Sequence, residues 1–481
     1  LHVKVLAVAP ECYPLIKTGG LADVVGALPG ALAPLGCDMR VLLPLYPAVT
    51  ENVGTCEAVH AYDDLFGGQA MIIASESHGL KVFLLEAPHL FDRPGNPYLG
   101  ADGREWPDNH LRFAALSRVA CDFGLGLVPD WTPDVIHAHD WQAGLASAYL
   151  SLSGKPRPKT VTTIHNLAFQ GLFPSTHLAA LGLPAEAFAP DGLEYFGQIG
   201  FLKAGLVYAD AVTTVSPTYA MEIRTKALGM GLDGLLNARA DPVVGILNGI
   251  DLDIWNPAED EAIEVPYSAR SPKKKAKNKA ALQRRFGLEE KRDALLACVI
   301  SRLTDQKGID LIFEALPAFI ENGGQLALLG SGDAALEKLA SDAADKFAGQ
   351  VGTAIGYDEN LSHQVQAGAD MILIPSRFEP CGLTQLIGLR YGTLPLVART
   401  GGLADTVIDA NEAAVQAGAA TGFQFAPTTA EALQFALERA LRLYRQPNAW
   451  KAMQKRAMAQ DVGWETSARK YMALYESLCG S

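Results

Sequence analysis

The feature that most restricts the fold of this 481-residue chain is a recurring pattern of short apolar runs separated by stretches of helical periodicity. The runs VKVLAVAP, DMRVLLP, KVFLLEAP, DVIHAHDW, TVTTIHN and AVTTVSP are rich in β-branched residues and do not alternate with polar ones. A strand with one face in water alternates; a strand without alternation is buried on both faces, as in a parallel sheet covered by helices. The pattern breaks at VVGILNGIDLDIWNP (Val243 to Pro257) and a Pro- and Lys-rich stretch. It then restarts with LLACVISRL, QLALLGSGD, GTAIGY, DMILIPSRFEP, LPLVARTGG and GFQF.

The expected fold class is therefore α/β, with two doubly wound parallel sheets in two Rossmann-like domains. The length agrees, since one hydrophobic core rarely serves a chain of this size. The domains are set at residues 1–245 and 246–460. Residues 461–481 form a closing helix, with Thr466 or Ser467 as its expected cap and an apolar 3.6-residue period behind it.

In open parallel sheets ligands bind beyond the carboxyl ends of the strands. Here those ends carry the polar residues: Lys17 to Gly20, His139-Asp140, His165-Asn166, Asn248-Gly249, Arg302 to Lys307, Gly330 to Asp333, Arg377 to Thr384 and Thr400 to Gly402. If the two domains face each other with these edges, all of them line one deep cleft.

Composition excludes several classes. A net charge of −13 argues against nucleic-acid binding, which needs an excess of clustered cations. The one basic run, SPKKKAKNKAALQRRFGL, reads as a solvated surface helix, with contact to a polyanion as the alternative. No apolar stretch approaches the roughly 20 residues of a membrane span, and the beginning of the sequence does not read as a signal peptide, so the expected location is cytoplasmic. The seven cysteines are scattered, without a C-x-x-C pair, and suggest neither a disulfide framework nor a zinc site.

Particular strings carry the chemistry. KTGGLADVVGALP, starting at Lys17, and RTGGLADTVID, starting at Arg399, each join a strand, a glycine pair and a helix start. Glycine allows close approach and positive φ, and a helix N-terminus favours an anion, although many such turns only cap a helix. SRLTDQKGID places Arg302 and Lys307 on one strand-to-helix loop, which fits a diphosphate clamp better than the alternative, a surface ion pair. SRFEPCGLTQL sets Glu379, an acceptor for sugar hydroxyls, beside the backbone donors of Gly382, Leu383 and Thr384. His137 and His139 in HAHDWQAG lack a third metal ligand at usable spacing, and satisfied histidines fit them better. The Asp-x-Asp of IDLDIW reads as a turn and cap. Phosphate-loop, nucleophile-elbow and dinucleotide-binding signatures are missing.

At KTGGLADVVGALP, HAHDWQAG, TIHNLAFQG, LNGIDLDIWNP, SRLTDQKGIDL and PSRFEPCGLTQL the chain resembles bacterial glycogen synthases and plant starch synthases of glycosyltransferase family 5, over nearly its whole length. The resemblance implies a GT-B fold, with the last helix crossing back to the N-terminal, acceptor-side domain. It implies retaining transfer of glucose from ADP-glucose to the non-reducing end of glycogen or another α-1,4-glucan, with release of ADP and without metal or other cofactor. By the same resemblance Lys17 and Gly20 belong to the donor-site loop, and Arg302 and Lys307 neutralise the diphosphate. Glu379 holds glucose hydroxyls, while Cys381, Gly382, Leu383 and Thr384 bind sugar and phosphate. Asp140, His165, Asn166 and Asn248 surround the reacting glucose, and Tyr357 lies on the adenine side.

Breaking the anomeric bond puts negative charge on the departing ADP, so the cations act chiefly in the transition state. Glu379 is the one tempting covalent nucleophile, but its implied role is hydroxyl binding. Front-face attack, with the leaving phosphate taking the acceptor's proton, is the favoured route to retention. A GT-B enzyme with another donor, a pyridoxal-dependent glucan phosphorylase and a non-catalytic glucan-binding module are the rival readings.

Overall fold

The computed structural model describes residues 2–480. They divide into two compact units, one reaching to Asn248 and resuming at Trp464, the other running from Gly249 to Gly463. The divisions thus lie at 248/249 and 463/464, where the sequence reading set 245/246 and 460/461. Backbone pairing places them: Ile246 N–H donates to Thr214 of the first unit at 2.8 Å, and Ile250 N–H donates to Val462 of the second at 2.8 Å.

The strands of the first unit, in chain order, are β1 (Val3–Val8), β2 (Cys37–Pro44), β3 (Cys56–Tyr62), β4 (Ala70–Ser77), β5 (Leu80–Glu86), β6 (Val135–His139), β7 (Lys159–Ile164), β8 (Leu172–Pro174), β9 (Glu194–Tyr195), β10 (Gln198–Gly200), β11 (Ala211–Thr214) and β12 (Val244–Gly245). The main sheet has the order β12-β11-β7-β6-β1-β2-β5-β4-β3, and β8, β10 and β9 form a small separate sheet. From β12 to β5 the pairing is parallel; β4 and β3 continue it antiparallel. These two strands departed from the expected parallel pattern because they are partly solvated, β3 most of all. A half-exposed hairpin needs no crossover helix and no continuous apolar run.

The second unit contains β13 (Leu295–Ile300), β14 (Gly324–Gly330), β15 (Val351–Ile355), β16 (Met371–Ile374), β17 (Leu394–Ala398) and β18 (Phe423–Phe425). Their order, β15-β14-β13-β16-β17-β18, is the 3-2-1-4-5-6 arrangement of a Rossmann sheet, and every pairing is parallel. Leu295, Ala297 and Val299 enter one apolar cluster while Leu296 and Cys298 enter another. Both faces of β13 are buried, which is why the run LLACVI shows no alternation.

Two helices differ from their sequence reading. The basic run forms the helix Lys275–Arg285, but Lys275, Lys279 and Gln283 lie buried on one of its faces. Lys275 Nζ donates to Ala367 O and Thr393 Oγ1 at 2.8 Å, and Lys279 Nζ meets Asp370 Oδ2 at 2.7 Å. Long aliphatic stems and internal acceptors let cations replace the apolar stripe that periodicity analysis looks for. The closing helix spans Glu465–Cys479 with Trp464 as its N-cap. Ser467 lies inside its first turn and donates to Leu247 O, so neither of the expected caps is the cap. This helix belongs to the first unit, where Ala468, Tyr471 and Tyr475 are fully buried. Among the described residues no helix is long and apolar enough to cross a membrane.

Candidate active site

Sheet order decides where a ligand can sit. In each sheet the chain runs in opposite directions from one central strand, and the loops beyond that point part to leave a crevice. In the second unit this switch lies between β13 and β16. The loop after β13 carries Arg302 and Lys307, and the loop after β16 carries residues 375–383.

Those loops meet. Lys307 Nζ lies 2.6 Å from Glu379 Oε2, and Ser376 Oγ donates to the same oxygen at 2.9 Å. Glu379 is nearly buried and Ser376 fully so. A carboxylate in such a place is tolerable because a cation and a hydroxyl both face it. Beyond it the chain makes a tight turn at Gly382, with φ of +74°, and enters the helix Thr384–Tyr391. A Cβ at Gly382 would also lie 2.4 Å from Gln385 Oε1 and displace that buried amide. Cys381 is buried, and Gly382, Leu383 and Thr384 are half-buried. Arg377, in the same loop, pairs with Asp310 at 2.6 Å and serves the loop's anchoring.

Arg302 and Tyr357 are not drawn into this cluster. Arg302 is exposed, and its side chain has no ion pair among the described residues. Tyr357 is 71% exposed, with its hydroxyl directed to Glu359. Both stand open to a ligand.

In the first unit the switch lies between β1 and β6. The loop after β1 carries Glu11 and Lys17, and the helix Gly20–Leu32 starts at its end. Gly19 is its N-cap in extended conformation, and a Cβ there would point into open space, with nothing within 4 Å. Lys17 Nζ pairs with Asp23 Oδ1 at 2.8 Å, one turn into the helix. Burial pushes the Asp23 carboxyl up, and Lys17 pulls against it. Glu11, 2% exposed, holds the loop by accepting from Thr18 Oγ1 at 2.7 Å and from the Thr18 amide and Tyr98 hydroxyl.

After β6, Asp140 has φ of +57° and lies buried. Its Oδ1 accepts from the His165 amide at 2.6 Å and the Asn166 amide at 3.4 Å, tying the loop after β7 to the loop after β6. Desolvation pushes the Asp140 carboxyl up to about 7, against the pull of those two amides. His139 Nδ1 and His165 Nε2 are 2.9 Å apart, and burial keeps both imidazoles neutral, His165 down to about 3. His137 bonds Tyr475 OH at 2.7 Å and Thr163 Oγ1 at 2.6 Å, a satisfied internal histidine. Asn248 Oδ1 is a buried acceptor with no partner among the described residues. Asp251 Oδ1 accepts from the amides of Asp253 and Ile254, which makes the Asp-x-Asp a turn. Among the described residues no three His, Cys, Asp or Glu side chains are grouped to hold a metal ion.

Lys17, Lys307 and Glu379 were singled out in the sequence, but the ion pairs Lys17–Asp23 and Lys307–Glu379 were not expected; Glu11, Tyr98, His139 and Ser376 were not singled out as site residues. Glu11 and Ser376 follow apolar strands directly, so the strand-end rule itself pointed at them. Tyr98 lies in an irregular segment and is brought to Glu11 only by tertiary folding.

Known proteins resemble this chain over its whole length. A family model of the starch synthase catalytic domain matches residues 4–238, and one of glycosyl transferases group 1 matches residues 282–457. A glycogen synthase of Rhodopseudomonas palustris is 58% identical over 99% of both chains. The chain belongs to the glycogen synthase family. A member from Roseobacter denitrificans is 56% identical over 99% of this chain and 100% of its own. The catalytic domain of starch synthase IV from Arabidopsis thaliana, solved bound to ADP and acarbose, superposes with a TM-score of 0.89 at 33% identity over all of both chains. A sucrose-phosphate synthase from Thermosynechococcus elongatus shares the fold at 18% identity, with a TM-score of 0.62 over 99% of each chain. The fold is thus GT-B, and this family member is a glycosyltransferase that uses a nucleotide-sugar donor and a glucan acceptor.

Proposed function

We propose that the donor is ADP-glucose and that the second unit's switch-point loops hold its diphosphate and glucose. Lys307 and Arg302 face the diphosphate, Glu379 accepts from glucose hydroxyls, and the turn from Cys381 to Thr384 offers backbone donors to phosphate. The observation that carries this reading is the cluster Lys307, Glu379 and Ser376 beside the Gly382 turn: cation, carboxylate and amides converge within one crevice. The ADP found in the Arabidopsis structure supports the same nucleotide here.

The groups of the first unit complete the assignment. Lys17 exchanges Asp23 for donor oxygen, and Gly20 lets the backbone come close. Asp140, His165, Asn166 and Asn248 bond the transferred glucose; the unpaired Asn248 acceptor and the Asp140 clamp on His165 and Asn166 support those roles. Tyr357, open on the surface, takes the adenine side.

Chemistry follows from charge. Heterolysis of the anomeric bond leaves positive character on glucose and negative charge on ADP, and preorganised cations and amides favour that state over the ground state. With Glu379 engaged by Lys307 and Ser376, its carboxylate is occupied in binding. Retention therefore proceeds by front-face attack of the glucan 4-hydroxyl, whose proton passes to the departing phosphate oxygen. The charges are met by side chains and amides, so the reaction as proposed needs no cofactor. A cytoplasmic location goes with the same reading and with cysteines that form no disulfide among the described residues.

The test is ADP release from ADP-glucose with and without glycogen, beside UDP-glucose as competitor donor. Release that depends on glycogen and elongates it is expected with ADP-glucose. Equal or faster transfer from UDP-glucose overturns the donor assignment.

A further inference from the structure

The Thr-Gly-Gly-Leu-Ala-Asp string occurs twice, and the donor-site reading uses only the copy at Lys17. The second copy supplies the helix Gly401–Thr406, which packs directly on the Glu379 loop. Gly402 N–H donates to Glu379 O and to Pro380 O, each at 3.1 Å. No other residue fits there: a Cβ on Gly401, already at φ of +44°, would lie 1.9 Å from Glu379 O, and one on Gly402 2.2 Å from Cys381 O.

The next two carbonyls are taken by a side chain. Gln385, fully buried, donates from Nε2 to Cys381 O at 3.0 Å and to Gly382 O at 2.9 Å. The same nitrogen reaches Thr406 Oγ1 at 3.2 Å, and Thr406 Oγ1 donates to Gly402 O at 2.6 Å. Four consecutive carbonyls, from Glu379 to Gly382, are therefore held from the inner side by Gly402 and Gln385. Thr406 joins the two holders.

A trans peptide is planar, with its N–H opposed to its C=O. Holding the Cys381 and Gly382 carbonyls inward turns the N–H groups of Gly382 and Leu383 outward. Neither N–H has a hydrogen-bond acceptor among the described residues. They stand at the start of the helix Thr384–Tyr391, whose dipole adds to their pull on an anion. Gln385 Oε1 remains buried and unpaired, so its amide is kept in place by its donor side alone.

We infer that Gln385 and the second Gly-Gly pair form a clasp that aims the Gly382 and Leu383 amides at the donor's phosphates. Gln385 is a positioning residue: it touches no substrate and acts through the backbone it holds. The inference rests on the proposed ADP-glucose site and assigns to it a part built from residues outside the ligand's reach.

The experiment uses the full chain with a nucleotide and its nucleoside as probes. Binding of ADP and of adenosine is measured by calorimetry for wild type, Gln385→Met and Thr406→Val, with thermal melts alongside. Met keeps the volume of Gln but has no donor, so Gln385→Met is expected to weaken ADP roughly tenfold or more while adenosine changes less than about twofold. Thr406→Val, which keeps Gln385 and removes its link to Gly402, shifts ADP in the same direction by a smaller factor. Should Gln385→Met fail to fold, Thr406→Val carries the same selective signature. ADP affinity within about twofold of wild type in both variants overturns the clasp, as does equal loss of ADP and adenosine. Wild type that binds no ADP at all removes the donor assignment, a result distinct from either.

Discussion

Replacing Lys307 by methionine keeps most of the aliphatic stem and removes the charge that lies 2.6 Å from Glu379 Oε2. Two losses follow, and they have different sizes. In the resting protein the Glu379 carboxylate, with its side chain 10% exposed, keeps only the Ser376 hydroxyl as a partner. A charge-assisted hydrogen bond lost from a nearly buried carboxylate costs about 1.5–3 kcal/mol, a modest fall in melting temperature for a chain of this size. In the transition state the departing diphosphate loses a cation as well, and removal of one such donor typically costs ~10²–10³ in turnover. Initial rates with ADP-glucose and glycogen should therefore show kcat down about a hundredfold or more, with the KM for glycogen within roughly threefold. Adding Glu379→Gln restores the melting temperature, because the unpaired charge is gone, but not kcat. Turnover within about fivefold of wild type, or rescue of turnover by the second substitution, refutes the assignment of Lys307 to the diphosphate.

Gly401→Ala forces a Cβ to 1.9 Å from Glu379 O at a φ of +44°, and should lower both melting temperature and activity. Gly234→Ala is its counterpart: in the helix Asp233–Ala238, with nothing within 4 Å of the added carbon, it should raise stability by about 0.4–1 kcal/mol. Burial pulls His137 and His165 down to about 3. The unfolded chain binds their protons from about pH 6.5 downward, so stability falls as pH drops from 6.5 toward 3. Asp140, raised to about 7, has the opposite sign: it loses stability as pH rises from about 4 to 7. Melting temperature against pH should accordingly lose acid-side slope in His137→Asn and gain it in Asp140→Asn. Lys279→Met takes from Asp370, 13% exposed, its cation at 2.7 Å, leaving it the Leu296 amide at 3.0 Å, and should cost about 3 kcal/mol in urea unfolding.

The parallel strands were legible because burial on both faces writes an unbroken apolar run, as at Leu295–Ile300. The strands Cys56–Tyr62 and Ala70–Ser77 were not, because a partly solvated hairpin leaves a weaker and more mixed signal. In the site, residues that end a strand announce themselves by polarity against an apolar background, as Lys307, Asp140 and Glu379 do in their loops. Gln385 and Thr406 gave no such sign: a helix residue that donates to its own preceding turn looks like any polar helix residue until the turn's carbonyls are located. The basic helix misled for a related reason. Lys275 and Lys279 satisfy their charge on internal oxygens, and composition cannot tell an internal oxygen from water.

The first unit is built from two separated stretches of chain, whereas the second, Gly249–Gly463, is continuous. His137 on a central strand waits for the Tyr475 hydroxyl, and the pockets of Tyr471 and Tyr475 stay open until the closing helix is made. At roughly 5–20 residues per second, about 20–70 s of synthesis separate the emergence of β6 from that of Tyr475. Throughout that interval the first unit lacks the side chains that complete its core. The unit begun first is therefore closed only by a helix made after the whole of the second unit.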